Sequence, residues 1–418
     1  MKIWWILLIC LGIRLIGINQ SLWLDEAISA NVAKNFSYQE ILTKFSPGDF
    51  HPPGYYLMLK TWGSIFGYSE ISLRLTSVIF SLITIYVVYL LGGSAGAMLV
   101  GFNPLLVYYS QEVRMYSMVT MWLTLAIYFL IKEKYWLVGL FFGLAFGTFY
   151  GSVFLMVAVF IYLIVNKKYK PAGIVTIVPL IFLLIIWPLM SQQLQNSKVM
   201  LATVSGWSLV LGKVNLKNLL LIPMKFTSGR ISFYPKIIYY VLAGGWSIFV
   251  FFKVLSAKFK VQSKIYSFLF WTTLAIGVVF SIFTPMFEYF RFLYLIPIMA
   301  LAIGKNKLIA GGFLAWSLVY VLNPSFYRED WKSVVAELSK DQPVYMIKSF
   351  EDPVSYYNLD LRYKTYDLRI EPKENRITVI PYGEEIHGVN HVKLMEKQGY
   401  KMVDQKNYRG LVSESWSR

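Results

Sequence analysis

Long apolar runs separated by short polar breaks fill the first three quarters of the chain. After Pro324 the pattern changes to brief alternating segments of helical and strand character. Many of the apolar runs approach the roughly 20 residues that cross a bilayer. Eleven spans are expected, at about 3–19, 72–91, 93–109, 115–131, 136–150, 152–166, 171–190, 237–252, 265–283, 290–304 and 308–322. Those at 93–109, 136–150 and 152–166 are short and are read as broken or tilted. The start, Met1-Lys2 followed by apolar residues, lacks a small-residue cleavage site and reads as an uncleaved first helix.

Orientation follows from the loops. With the N-terminus inside, the inner loops carry Lys132 and Lys134; Lys167, Lys168 and Lys170; Lys253, Lys258, Lys260 and Lys264; and Lys305 and Lys307. All four clusters obey the rule that short basic loops stay on the cytoplasmic side. The outer side then holds residues 20–71, the turns near Ser110–Arg114, Tyr150 and Thr284–Arg291, the stretch 191–236, and everything after Asn323.

The first outer loop reads as structured. Ser37-Tyr38-Gln39-Glu40 has the form of a capping box, and Ile41, Leu42 and Phe45 follow as an apolar edge suited to the membrane interface. Beyond Pro324, helices are expected at Arg328–Lys340, from Asp352-Pro353, and at Val389–Lys397. Strands are expected at Val344–Ile347, Ile377–Ile380, Tyr400–Val403 and Gly410–Val412. The fold class is therefore a polytopic α-helical membrane protein over residues 1–323. A small soluble α/β domain at 324–418 sits on the outer face.

Composition agrees: 56% hydrophobic and 15% charged residues, with a mean hydropathy of +0.52, do not describe a soluble globule. The net charge of +17 invites a nucleic-acid reading, but its distribution excludes one. From Pro324 onward 15 basic residues balance 15 acidic ones, so the excess lies in the membrane part, where it records orientation. The lone Cys10 permits no intrachain disulfide.

Acids are scarce before Asn323, eight in all, and seven of them fall in outer segments: Asp25, Glu26, Glu40, Asp49, Glu70, Glu112 and Glu288. Ionisable groups are costly to keep at a membrane and are functional suspects. Asp25-Glu26 comes first. Adjacent carboxylates point in different directions, so one can serve as general base while its neighbour meets a metal or partner. The alternative is capping of the helix Ala27–Lys34. His51-Pro52-Pro53 stiffens the same loop, and His51 with Asp25 is the one metal-ligand pair the residues suggest; a stiff turn is the competing role. Glu112, Arg114 and Tyr116, with Glu288 and Arg291, form outer turns whose arginine forks suit phosphate. Lys60 and Arg74 add charge nearby, although each cation alone is an ordinary interfacial anchor. The stretch 191–236 carries Lys198, Lys213, Lys217, Lys225, Arg230 and Lys236 without an acid, which favours anionic headgroups or a lipid phosphate, with a solvated loop as the alternative.

The motifs WLDEA (23–27), HPPGYYLMLK (51–60), SQEVRMYSM (110–118) and FEYFRFLYLIPIMALAIG (287–304), in that order, resemble the GT-C membrane glycosyltransferases. The nearest likeness is to the protein O-mannosyltransferase and lipid A aminoarabinose transferase group, over about residues 1–325. The resemblance implies a polyprenyl-phosphate sugar donor and a glycan, lipid or protein acceptor. It implies that Asp25 is the catalytic acid of the first outer loop, with Glu26 completing the motif. His51, Arg114 and Arg291 match positions around the donor phosphate. Where relatives commonly have Thr-His-Tyr, this chain has Thr148-Phe149-Tyr150, which weakens the case for a divalent metal. The expected protein is an inverting, multi-pass transferase of the plasma or inner membrane. A polytopic transporter or a lipid-binding membrane protein is the alternative, but the charges lie at span ends rather than at the midplane.

Overall fold

A computed structural model describes residues 2–204, 206–257, 263–339, 342–358 and 364–418. Lys258, Lys260 and Lys340, which figured in the expected loops and helix, lie outside the described residues.

Four helices are long and apolar enough to cross a membrane: Glu70–Gly101, Tyr169–Thr203, Lys236–Ser256 and Lys264–Phe283. Shorter apolar helices accompany them, among them Ile3–Leu15, Tyr116–Ile131, Tyr135–Phe146 and Lys307–Leu322. Leu184, Ile185, Ile248 and Phe283 stand bare on their outer faces, an arrangement suited to lipid and costly in water. The chain is a multi-pass membrane protein.

Two expected boundaries moved, for identifiable reasons. The spans at 72–91 and 93–109 are joined into the helix Glu70–Gly101, kinked at Gly93, where φ is 60° and ψ −162°. That backbone conformation suits glycine. Asn103 then caps the short helix Pro104–Tyr109, its side chain accepting from the amides of Leu105 and Leu106 at 3.1 Å. The span at 171–190 runs on to Thr203, because Ser191–Thr203 contains no breaker and Pro179 and Pro188 are accommodated inside it. At 35 residues this helix is about 52 Å long, well beyond a hydrocarbon core of about 30 Å. Its length therefore exceeds the hydrocarbon by several turns.

The loop at 20–71 carries Leu24–Asn35 and Gly54–Phe66 as helices. The Ser37–Glu40 capping box is present, with Glu40 N donating to Ser37 Oγ at 3.2 Å and Ser37 N to Glu40 Oε2 at 2.9 Å. After it the chain widens into a single turn at Ile41–Phe45.

The C-terminal part is an α/β unit with a five-stranded sheet: β1 (Val344–Met346), β2 (Thr365–Asp367), β3 (Arg376–Val379), β4 (Lys401–Tyr408) and β5 (Leu411–Ser417). The order is β2-β1-β3-β5-β4, with β1 parallel to both β2 and β3 and the rest antiparallel. Leu24 packs into its core beside Trp331 and Val334. Asn31 Nδ2 donates to Asp352 Oδ1 at 2.8 Å, Leu22 N to the Tyr357 hydroxyl at 2.8 Å, and Lys332 pairs with Glu70 at 3.1 Å. The loop at 20–71 is thus held between the apolar helices and the sheet domain.

Candidate active site

Trp23, Leu24, Asp25 and Glu26 open the helix Leu24–Asn35, where successive side chains leave the axis about 100° apart. Three neighbours consequently reach three places. Leu24 enters the C-terminal core, Asp25 opens onto a cavity, and Glu26 is sealed against the membrane helices.

Glu26 and Arg74 have fully buried side chains and pair at 2.6 Å. Glu26 Oε1 accepts from Arg74 Nε at 2.9 Å and from Val113 N at 2.8 Å, and Oε2 from Arg74 Nη2 and from Trp23 N at 3.3 Å. Burial raises the pKa of the Glu26 carboxyl, and the Arg74 charge and hydrogen bonds oppose that rise. Arg74 Nη1 also donates to the carbonyls of Ile18 and Gln20, and Nη2 to Ser21 O at 3.0 Å. All five guanidinium N–H groups are used within the protein. This corrects two expectations: Arg74 has no donor left for a substrate phosphate, and Glu26 has no face on the cavity. The pair ties the loop 18–26 to the turn at Val113.

That turn sets Arg114 beside Asp25, Nη2 to Oδ2, at 3.5 Å. The Asp25 side chain is 35% exposed and Arg114 only 6%. Arg114 lies over the Tyr116 ring at 6.0 Å, and Tyr116 packs edge-on against Phe290 at 5.4 Å. Arg291 lies over Phe290 at 5.9 Å.

Asp25 opens onto a cavity of about 1100 Å³ between the two parts of the chain. Glu112, Tyr116, Arg230, Glu288 and Arg328 also line it, together with the end of the long helix at Met200 and Thr203. Glu112 is paired with Arg328 at 3.0 Å, and Arg328 lies 3.7 Å over the Trp23 ring. Arg230 donates to the Tyr108 hydroxyl at 2.8 Å. Burial pushes the Glu288 carboxyl up, against the pull of Arg291, Lys217 and Arg230.

The other expected residues lie elsewhere. Lys60 Nζ reaches the carbonyl of Ala33 at 3.3 Å and sits over Tyr38, away from the cavity lining. His51 pairs with Asp49 at 3.4 Å and stacks on Phe149. Burial raises the Asp49 carboxyl, but His51 and Arg114 outweigh it and hold the group below its ordinary range. Among the described residues no cluster of three or more His, Cys, Asp or Glu side chains could hold a metal, so the Asp25–His51 metal pair finds no third ligand. The sequence offers Arg328 only as the start of an expected helix and Arg230 only as part of a basic stretch. Arg328's one signal was its place as the first cation after the last span.

Cavity and apolar helices describe a membrane protein with one large cavity lined by charges of both signs. Residues 50–192 match the family described as dolichyl-phosphate-mannose-protein mannosyltransferase, so the resemblance to GT-C enzymes holds over that segment. Among solved structures, the chain is similar to ArnT from Cupriavidus metallidurans bound to undecaprenyl phosphate. That match has a TM-score of 0.49 and 12% identity, covering 99% of this chain and 97% of the other. The apo form of that protein gives 0.48 and 11%, covering 98% and 97%. No curated protein sequence matches the chain.

Proposed function

We propose that this protein is an integral-membrane glycosyltransferase that moves a sugar from a polyprenyl-phosphate donor to an acceptor hydroxyl on the outer side of the membrane. The observation that carries the reading is the Asp25 carboxylate. It is held beside Arg114 at 3.5 Å and is open to a large cavity that Arg230 and Arg328 also line. The family over residues 50–192 supplies the donor class, since its description names a polyprenyl phosphate carrying mannose.

In this mechanism Asp25 takes the proton from the acceptor hydroxyl as the oxygen attacks the anomeric carbon. The bond from that carbon to the phosphate oxygen breaks, and the lipid leaves as its phosphate. One displacement inverts the anomeric centre. Arg114, Arg230 and Arg291 stabilise the charge that gathers on the leaving phosphate, with Tyr116 and Phe290 fixing two of their planes. Glu26 acts on the reaction through position alone. Glu112 holds Arg328, and Glu288 lies close enough to Arg230 and Arg291 to tune their field.

The N-terminus lies on the cytoplasmic side and the sheet domain outside, in the plasma or inner membrane. Release of radiolabelled sugar from a polyprenyl-phosphate donor, dependent on the purified protein and lost in Asp25→Asn, tests the reading. A protein that carries the donor across vesicles without cleaving it would overturn it in favour of transport.

A further inference from the structure

The two walls of the cavity differ in chemistry. Arg230 and Arg328, with Asp25, Glu112 and Glu288, belong to the wall nearer the membrane. The facing wall comes from the sheet domain: Ser349-Phe350, Arg369, and the turn Pro381–His387. Arg369, the only arginine in that wall among the described residues, is already bonded through Nε and Nη2 to Asp367, both at 2.7 Å. Two carboxylates share the wall. Glu384 takes a bond from His391 Nδ1 at 2.8 Å, and Glu385 stands exposed beside it. Such a wall repels an anion and offers acceptors to hydroxyl groups.

It also offers flat apolar faces. Phe350 and Tyr382 meet edge-on at 5.8 Å, and Trp207, on the segment that follows the long helix, also lines the cavity. The indole N–H groups of Trp23 and Trp207, in two cavity-lining residues, have no hydrogen-bond partner among the described residues. Donors left unmet at a buried site favour a ligand that supplies oxygens. A saccharide has both features, C–H faces to lie on rings and a rim of hydroxyls for carboxylates and indoles.

The wall is built rather than loose. Gly383 at φ 70° and Gly388 at φ 64° bracket the helical turn Glu384–His387, and a Cβ on Gly383 would run into the Phe350 ring. Gly206 N donates to Ile386 O at 3.1 Å, fastening the turn to the extension of the long helix. The volume exceeds what a single drug-sized ligand needs, roughly 300–1,000 Å³, and so admits a donor headgroup with a second sugar.

We infer that this wall is the acceptor subsite and selects a neutral saccharide, so the hydroxyl that Asp25 deprotonates belongs to an uncharged glycan. The inference rests on the transferase reading above. The test uses the full chain in nanodiscs of uncharged lipid. Neutral trisaccharides (maltotriose, cellotriose, tri-N-acetylchitotriose), a phosphorylated trisaccharide and a serine-rich peptide are titrated by saturation-transfer NMR and tryptophan fluorescence.

A neutral trisaccharide is expected to bind saturably and in preference to both other probes. Trp207→Phe removes the indole donor and keeps a ring, and Glu385→Gln removes a charge; each is expected to weaken binding about 3–10-fold, the value of one hydrogen bond. Absence of saturable binding by every neutral saccharide, preference for the phosphorylated sugar or the peptide, or unchanged affinity in both variants would overturn the inference. Farnesyl phosphate is titrated separately and is expected to bind less well to Arg230→Gln. If it does not bind at all, the donor reading fails. If it binds while saccharide selectivity is absent, the acceptor subsite alone fails.

Discussion

Asp25→Asn and Glu26→Gln, two isosteric changes at adjacent positions, should fail in different ways. Asp25 is at the cavity, 35% exposed, with one contact to Arg114 at 3.5 Å. Asp25 lies in the first turn of its helix without capping it, so loss of its charge there should cost no more than about 1 kcal/mol. Loss of the proton acceptor should cost 10²–10⁴-fold in rate, roughly 3–5.5 kcal/mol of barrier. Glu26 is fully buried with Arg74. Glutamine places an NH₂ where Arg74 Nη2 and the Trp23 amide, or Arg74 Nε and the Val113 amide, already donate. It also leaves the Arg74 charge buried without a partner, a loss of roughly 3–5 kcal/mol. Transfer of labelled sugar and thermal unfolding in the same detergent separate the two. Asp25→Asn should be folded and inactive; Glu26→Gln should melt at a clearly lower temperature. An active Asp25→Asn, or a Glu26→Gln with an unshifted melting curve, would refute the division of labour.

Further expectations concern donor, topology and pH. Arg114→Lys keeps charge but loses the planar fork, so donor affinity should fall about 10-fold or more while the protein stays folded, read as a rise in KM for the lipid donor. Reporter fusions after Lys168 and after Glu337 should lie on opposite sides of the membrane; the same side for both would sink the topology. His391 has Glu384 on Nδ1 at 2.8 Å and Glu414 on Nε2 at 3.0 Å. Burial pulls its pKa down, but the two carboxylates outweigh that and raise it above 6.5, while the same contact lowers Glu414 below 4.5 despite its own burial. The array therefore stabilises the sheet domain most between about pH 4.5 and 6.5. The histidine's share fades as pH rises through its raised value, and the glutamate's as pH falls through its lowered one. The melting-temperature gap between the parent and His391→Gln should accordingly be wide at pH 5.5 and narrow at pH 8.5.

Much of this architecture is legible because it is periodic. Apolar runs mark the helices, Ser37 and Glu40 announce their own cap, and Val344 and Ile377 lie in strands where β-branched residues put them. The hairpin β4–β5 is longer than its composition suggests. Asp404, Lys406 and Asn407 are poor strand formers, held in place by pairing with β5 along an exposed edge. The segments Thr365–Asp367 and Glu384–His387 are too short to carry a period at all. The site divides the same way. An acidic pair in a loop between apolar runs is visible in a line of sequence, yet its division of roles depends on partners 48 and 87 positions away. The Arg328–Glu112 pair spans 216 positions, and no local pattern reports such a closure.

The sealed Glu26–Arg74 contact gives the protein two populations of charge that respond differently to ionic strength. Mobile ions shorten the reach of exposed charges to about 10 Å at 0.1 M and act far less on a pair closed off from water. Arginines that face the cavity will feel added salt; the clamp that aims Asp25 will not. Rising salt should therefore weaken capture of the lipid phosphate and leave turnover at saturating donor nearly constant, so that a salt series reads substrate attraction with the catalytic geometry held still.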